Sequence, residues 1–102
     1  MIVSEADLMA AVTRDRAAGK RIALITLAFD LLKLGDVRAV QAAAGQADRL
    51  AVALLDDAAA HVISTADRAE IAGSLRGVDY VIVCAPDRID ALAALLMPDV
   101  RA

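Results

Sequence analysis

The residues best suited to chemistry lie early in the chain, in Phe29-Asp30-Leu31-Leu32-Lys33-Leu34-Gly35-Asp36-Val37. An apolar run ends just before this stretch. A helical pattern follows it, with Val37, Val40 and Ala44 on one stripe. The first turn of a helix presents free backbone N–H groups, which receive an anion such as phosphate. Lys33 is the cation placed to meet that anion. Asp36 opposes it. Two negative groups about 4 Å apart repel by roughly 4 kcal/mol at an effective dielectric near 20. The same carboxylate would complement the helix dipole and cap free amides, stabilising the helix by about 0.5–2 kcal/mol. Asp36 therefore reads first as a helix cap. Lys33 reads as a solvated loop lysine or as an anion contact.

Other candidates are scattered. Asp56-Asp57 closes a second apolar run, at the edge where open α/β sheets bind ligands. The pair either starts a helix or holds Mg²⁺. Arg68 reads as a phosphate contact or as one member of an exposed helical ion pair. His61 is the only histidine, and no Cys/Asp/Glu spacing around it builds a metal site, so it is expected in a partly exposed loop. Cys84 is the only cysteine and sits in an apolar run. It reads as a buried inert thiol and fits a reducing cytoplasm. No Ser/His/Asp or Cys/His arrangement is present, and no Walker or G-x-G-x-x-G loop. No metal site is expected.

The elements that must position these residues follow from periodicity. Ser4 caps a first helix over 5–18, which Gly19 ends. Ile22–Leu27 is a short continuous apolar run, suited to a strand covered on both faces. A loop over 29–34 leads to a second helix from Gly35-Asp36 to about Ala44. Leu50–Leu55 is a second buried strand, and residues 58–63 stay ambiguous. Ser64 or Thr65 caps a third helix, 66–75, followed by Gly77. Val78–Cys84 is a third strand, broken by Pro86. Asp87 caps a last helix over 88–97, with Ile89, Leu92 and Leu96 inward. Pro98-Asp99-Val100 begins a fourth strand. Alternating strands and helices imply a parallel sheet with crossover helices. The expected fold is α/β: one three-layer sandwich of three or four parallel strands, Rossmann-like, in a single domain of 102 residues.

Composition narrows the function. Hydrophobic residues make up 60% of the chain and aromatics only 2%, so few rings can stack a base. The net charge is −3 with no basic cluster, which argues against a nucleic-acid partner. No apolar stretch reaches membrane-spanning length, and residues 1–7 lack the pattern of a signal peptide. A cytoplasmic location is expected.

Several blocks resemble the cytidylyltransferase-like nucleotidyltransferase family, in particular its heptose-phosphate and glycerol-3-phosphate members. The family carries G-x-F-D-x-x-H-x-G-H where this chain has Leu27, Phe29, Asp30, Lys33, Gly35 and Asp36. Phe29, Asp30 and Gly35 are kept. Leu27 replaces the glycine, and Lys33 and Asp36 replace the two histidines. Ala47-Asp48-Arg49-Leu50 is similar to the family's G-D-R-L. Ala66-Asp67-Arg68-Ala69-Glu70, with Leu75 and Val78-Asp79-Tyr80-Val81, is similar to its D-R-A-E-x-x-x-x-L-x-x-V-D-Y-V. Leu96-Met97-Pro98-Asp99-Val100 is similar to its L-x-P-D-V. The resemblance runs from about residue 20 to residue 100. It implies the first half to two thirds of a catalytic domain, without the later serine/threonine-rich phosphate signature.

The family joins a nucleoside triphosphate to a phosphorylated sugar or alcohol and releases pyrophosphate. The resemblance therefore marks Phe29, Asp30, Lys33, Gly35 and Arg68 as nucleotide-binding candidates, with Lys33 and Asp36 at degenerate catalytic positions. Two functions are expected to compete. One is a domain without turnover, acting as a binding or assembly module, either a homo-oligomer or bound to a protein partner. The other is a working cytidylyl- or adenylyltransferase using CTP or ATP with Mg²⁺. A receiver-like regulatory domain fits poorly. It needs an acidic pair after the first strand, where this chain has Thr26-Leu27, and it needs a late lysine.

Overall fold

The computed structural model describes residues 1–29, 33–56 and 63–102. The elements run α1 (Glu5–Ala17), β1 (Ile22–Leu27), α2 (Leu34–Ala44), β2 (Arg49–Leu55), α3 (Thr65–Ser74), β3 (Tyr80–Cys84), α4 (Ile89–Leu96) and β4 (Val100–Arg101). The four strands form one parallel sheet in the order β3-β2-β1-β4. The fold is the expected α/β sandwich, and the fourth strand forms.

Strands β1 and β2 are largely apolar on both sides because both sides are covered. Ile22, Leu24, Ala51, Ala53, Ile82 and Cys84 pack with Leu8 and Val12 of α1 and with Ile89, Leu92 and Leu96 of α4. The alternate residues Ala23, Ile25, Leu50, Val52, Leu54 and Val81 pack with Val40 and Ala43 of α2 and with Ala69 and Ala72 of α3. The period-two alternation of a strand sorts the two sets. Helices α1 and α4 therefore form one layer and α2 and α3 the other.

Helix boundaries follow local chemistry. Ser4 Oγ accepts the Asp7 N–H at 3.1 Å and starts α1. Ser64 Oγ accepts the Asp67 N–H at 3.2 Å and starts α3, which selects Ser64 over Thr65 as the cap. Gly19 and Gly77 turn the chain at φ of +80° and +92° after α1 and α3. The expected cap at Asp87 does not form. Pro86 opens a 3₁₀ turn over Pro86–Arg88, Asp87 lies inside it, and α4 begins only at Ile89 without a side-chain cap. Strand β3 is two residues shorter than expected, because Val78 and Asp79 form the approach to it.

A repeated device sets the register at the amino edge of the sheet. Asp48 Oδ2 accepts the Arg21 N–H at 2.9 Å, and the Asp48 N–H donates to the Arg21 carbonyl at 3.0 Å. Asp79 makes the same reciprocal pair with Leu50, at 2.8 and 3.0 Å. Asp99 makes it with Ile22, at 2.8 Å in both directions. Each aspartate directly precedes or opens a strand and ties it to the first residues of a neighbour. Leu50 and Ile22 have no exposed surface, so their N–H groups need these partners.

Candidate functional site at the carboxy edge

The strand order reverses at β1. Strands β2 and β3 extend the sheet to one side, and β4 returns to the other. Helix α4 lies on the face opposite to α2 and α3. Open α/β sheets bind ligands outside the carboxy ends of the strands at such a reversal. Residues 27–29 leave β1 at that point, and among the described residues Arg68 Nη1 ties the Ala28 carbonyl there to the Leu55 carbonyl at the end of β2.

Phe29 does not face solvent. It is 2% exposed and packs in the cluster with Val40, Ala43 and Ala69. Its backbone is left-handed, with φ of +54°. That conformation costs about 1–2 kcal/mol for a residue carrying a Cβ. Truncating a buried phenylalanine costs roughly 3–5 kcal/mol. Packing is the larger effect and holds the strained backbone in place. Leu27 is half-buried and lies against the same cluster. Asp30 lies outside the described residues, as do Asp57 and His61.

Lys33 is the N-cap residue of α2 and is exposed, with extended backbone at φ −108° and ψ 155°. Helix α2 starts one residue earlier than expected, at Leu34. Asp36 is therefore the third residue of the helix, and its Oδ2 accepts the Lys33 N–H at 3.4 Å. A lysine side chain has donors only, so no reciprocal side-chain bond returns. At that length the hydrogen bond is weak, and the favourable term is mainly the carboxylate against the helix dipole. Gly35 is exposed, and a Cβ there would meet no atom within 4 Å.

Arg68 requires a correction. The sequence suggested an exposed helical ion pair, yet the side chain has no exposed surface. Its Nη1 donates to the carbonyls of Ala28 at 2.7 Å and Leu55 at 3.0 Å. Its Nε donates to the Ile63 carbonyl at 3.2 Å and its Nη2 to Thr65 Oγ1 at 3.0 Å. Thr65 Oγ1 in turn donates to Asp56 Oδ1 at 3.1 Å. The position on the first turn of a helix was legible. The carbonyls that surround it belong to strand ends and to the approach to α3, and only the fold brings them together.

Cys84 is buried at the end of β3, as expected, and desolvation with the nearby Glu5 carboxylate pushes its thiol pKa up. A raised pKa keeps the thiol protonated and unreactive. Among the described residues, no three His, Cys, Asp or Glu side chains form a metal cluster. Two cavities lie among the described residues. One, of about 490 Å³, runs along α3 past Ile63, Asp67, Glu70, Ile71 and Ser74. The other, of about 420 Å³, lies between residues 1–3 and α1, with Tyr80 in its wall.

No family model matches the chain. Curated relatives do. The chain is 36% identical over 106 residues to the bifunctional protein HldE of Halorhodospira halophila, covering 96% of this chain and 22% of that protein. It is 35% identical over 107 residues to HldE of Gluconacetobacter diazotrophicus, covering 97% and 22%. Its fold matches the crystal structure of the lipopolysaccharide core biosynthesis protein from Thermoplasma volcanium with a TM-score of 0.74, over 81% of this chain and 73% of that one, at 20% identity. The resemblance to the cytidylyltransferase-like nucleotidyltransferases thus extends to curated relatives over nearly the whole of this chain. The chain spans about a fifth of the length of the curated relatives it matches.

Likeness to the nucleotidyltransferase-like pattern separates two kinds of motif residue. Asp48, Asp79 and Asp99, from the D-R-L, V-D-Y and P-D-V blocks, serve register at the amino edge. Arg68, from the D-R-A-E block, is spent on backbone oxygens. The departures from the family pattern fall instead at Leu27, Lys33 and Asp36, on the carboxy edge. Sequence reasoning missed the register role of the three aspartates, although an Asp at the start of three successive strands was a visible signal.

Proposed function

We propose that this chain is a degenerate nucleotidyltransferase-like domain without turnover, retained as a binding or assembly module. The observation that carries the reading is Asp36. Its carboxylate belongs to the first turn of α2, where a polyphosphate would need free amides and positive charge. Catalysis of nucleotidyl transfer rests on positioning and charge stabilisation, and a fixed anion at that terminus opposes both. Leu27 stands where the family pattern has a glycine, and the Phe29 ring is committed to the core.

The test is calorimetric titration with CTP and with ATP in the presence of Mg²⁺. No binding heat is expected. The competing reading is an active cytidylyl- or adenylyltransferase, and Lys33 is the observation in its favour, an exposed cation at the start of α2. Nucleotide binding followed by pyrophosphate release with a sugar phosphate or glycerol phosphate would establish that alternative.

The assembly role rests on exposed apolar side chains. Leu95 and Met97 at the end of α4 are 54% and 71% exposed, and Leu34 at the start of α2 is 62% exposed. A second copy of the chain is the proposed partner. Sedimentation at high concentration tests it, and a strict monomer counts against it.

A further inference from the structure

A guanidinium carries five donors in a planar fork and stays protonated at any accessible pH. Burying it costs several kcal/mol unless its donors find oxygens. Arg68 sits on the first turn of α3, the end of a helix where a cation is disfavoured by the dipole. Its burial is therefore sustained from outside its own helix. The strand-end carbonyls of Ala28 and Leu55 and the Ile63 carbonyl supply that support, and they come from three separate segments. Because a guanidinium only donates, the Thr65 hydroxyl proton points away from it, to Asp56.

We infer that Arg68 is the positioning residue of the carboxy edge, a latch that holds the ends of β1 and β2 and the start of α3 as one unit. The backbone feeding Phe29 and the exposed carboxylate of Asp56 are both set by this single side chain. The amino edge is held independently by Asp48, Asp79 and Asp99, which share no hydrogen bond with Arg68 among the described residues. The sheet thus has two separately fastened edges. The ligand edge can loosen while the opposite edge stays paired. This holds whether or not the domain binds nucleotide.

Site-resolved hydrogen exchange on the full chain tests the latch. In Arg68→Ala, the amides of Asp56 and of residue 68 are expected to exchange roughly a hundredfold faster, while those of Ile22 and Leu50 change little. Arg68→Lys is expected to loosen the same amides, because one ammonium cannot span the three segments. Methylguanidinium at sub-denaturing concentration is expected to restore protection to Arg68→Ala, where equal sodium chloride does not. Equal acceleration at both edges, or no rescue, would overturn the inference. Should the alanine variant not fold, exchange of the unaltered chain in rising denaturant decides. The Asp56 and Arg68 amides should open together before those of Ile22 and Leu50, and a single shared opening would overturn it.

Discussion

Aspartates that look like surface charge hold this sheet in register. The Leu50 N–H is fully buried and its partner outside the ladder is Asp79 Oδ2. Removing an acceptor from a buried donor costs about 1–3 kcal/mol. Asp79→Ala is therefore expected to lower unfolding free energy by that amount in urea denaturation. Asp99→Ala should behave alike, since the Ile22 N–H is equally buried. Asp48 serves the exposed Arg21 N–H, so Asp48→Ala should cost less than about 1 kcal/mol. Asp79→Asn keeps an oxygen acceptor and should retain most of the stability. Equal losses at all three alanine variants would mean that burial of the donor does not set the cost.

Two glycines beside helices have opposite meaning. Gly35 lies in the first turn of α2 with open space around its missing side chain. Replacing it with alanine restricts the unfolded chain and favours the helix, so Gly35→Ala should stabilise by about 0.5–1 kcal/mol. Gly77 follows α3 at φ of +92°, and a Cβ there would come within 3.0 Å of the Ala44 Cβ at the end of α2. Gly77→Ala should destabilise by about 1–3 kcal/mol. Thermal denaturation of both variants reads the difference, and shifts of the same sign would contradict it. Gly35 was read through a binding motif, yet neither its space nor its backbone requires glycine. Gly77 looked like ordinary punctuation and is the constrained position.

At the scale of the whole molecule, one polar tie among the described residues links helix α1 to two strands of the sheet. Asp15 of α1 accepts the Tyr80 hydroxyl of β3 and pairs with Arg49 of β2 at 3.5 Å. Burial, then the hydrogen bond to Asp15, raises the tyrosine pKa above its ordinary value of 10.0. The remaining surface carries Leu34, Leu95 and Met97, exposed aliphatic side chains on a chain of net charge −3. Low net charge with exposed apolar groups favours self-association over dispersal. Sedimentation should accordingly show mass rising above that of one chain as concentration increases. Leu95→Asp with Met97→Asp should return it to a single chain, because two added carboxylates would repel across a shared apolar face.

The sequence by itself determined the element order, the parallel sheet and the family resemblance. Leu50–Leu55 and Val81–Cys84 are apolar throughout, and Ile22–Leu27 is broken only by Thr26, a pattern suited to a sheet covered on both faces, and the D-R-L, V-D-Y and P-D-V blocks survive intact. It also marked Asp36 as a helix-start carboxylate, because a cap is a local interaction within one turn. Only the tertiary structure decided the fate of Phe29 and Arg68. Their partners are 11 to 40 residues away for Phe29–Val40 and Arg68–Ala28, and no periodicity encodes which strand ends converge. Spacing along a chain reports which face a side chain occupies. What lies opposite that face depends on the order in which strands assemble, and here that order put a buried guanidinium under the carboxy edge.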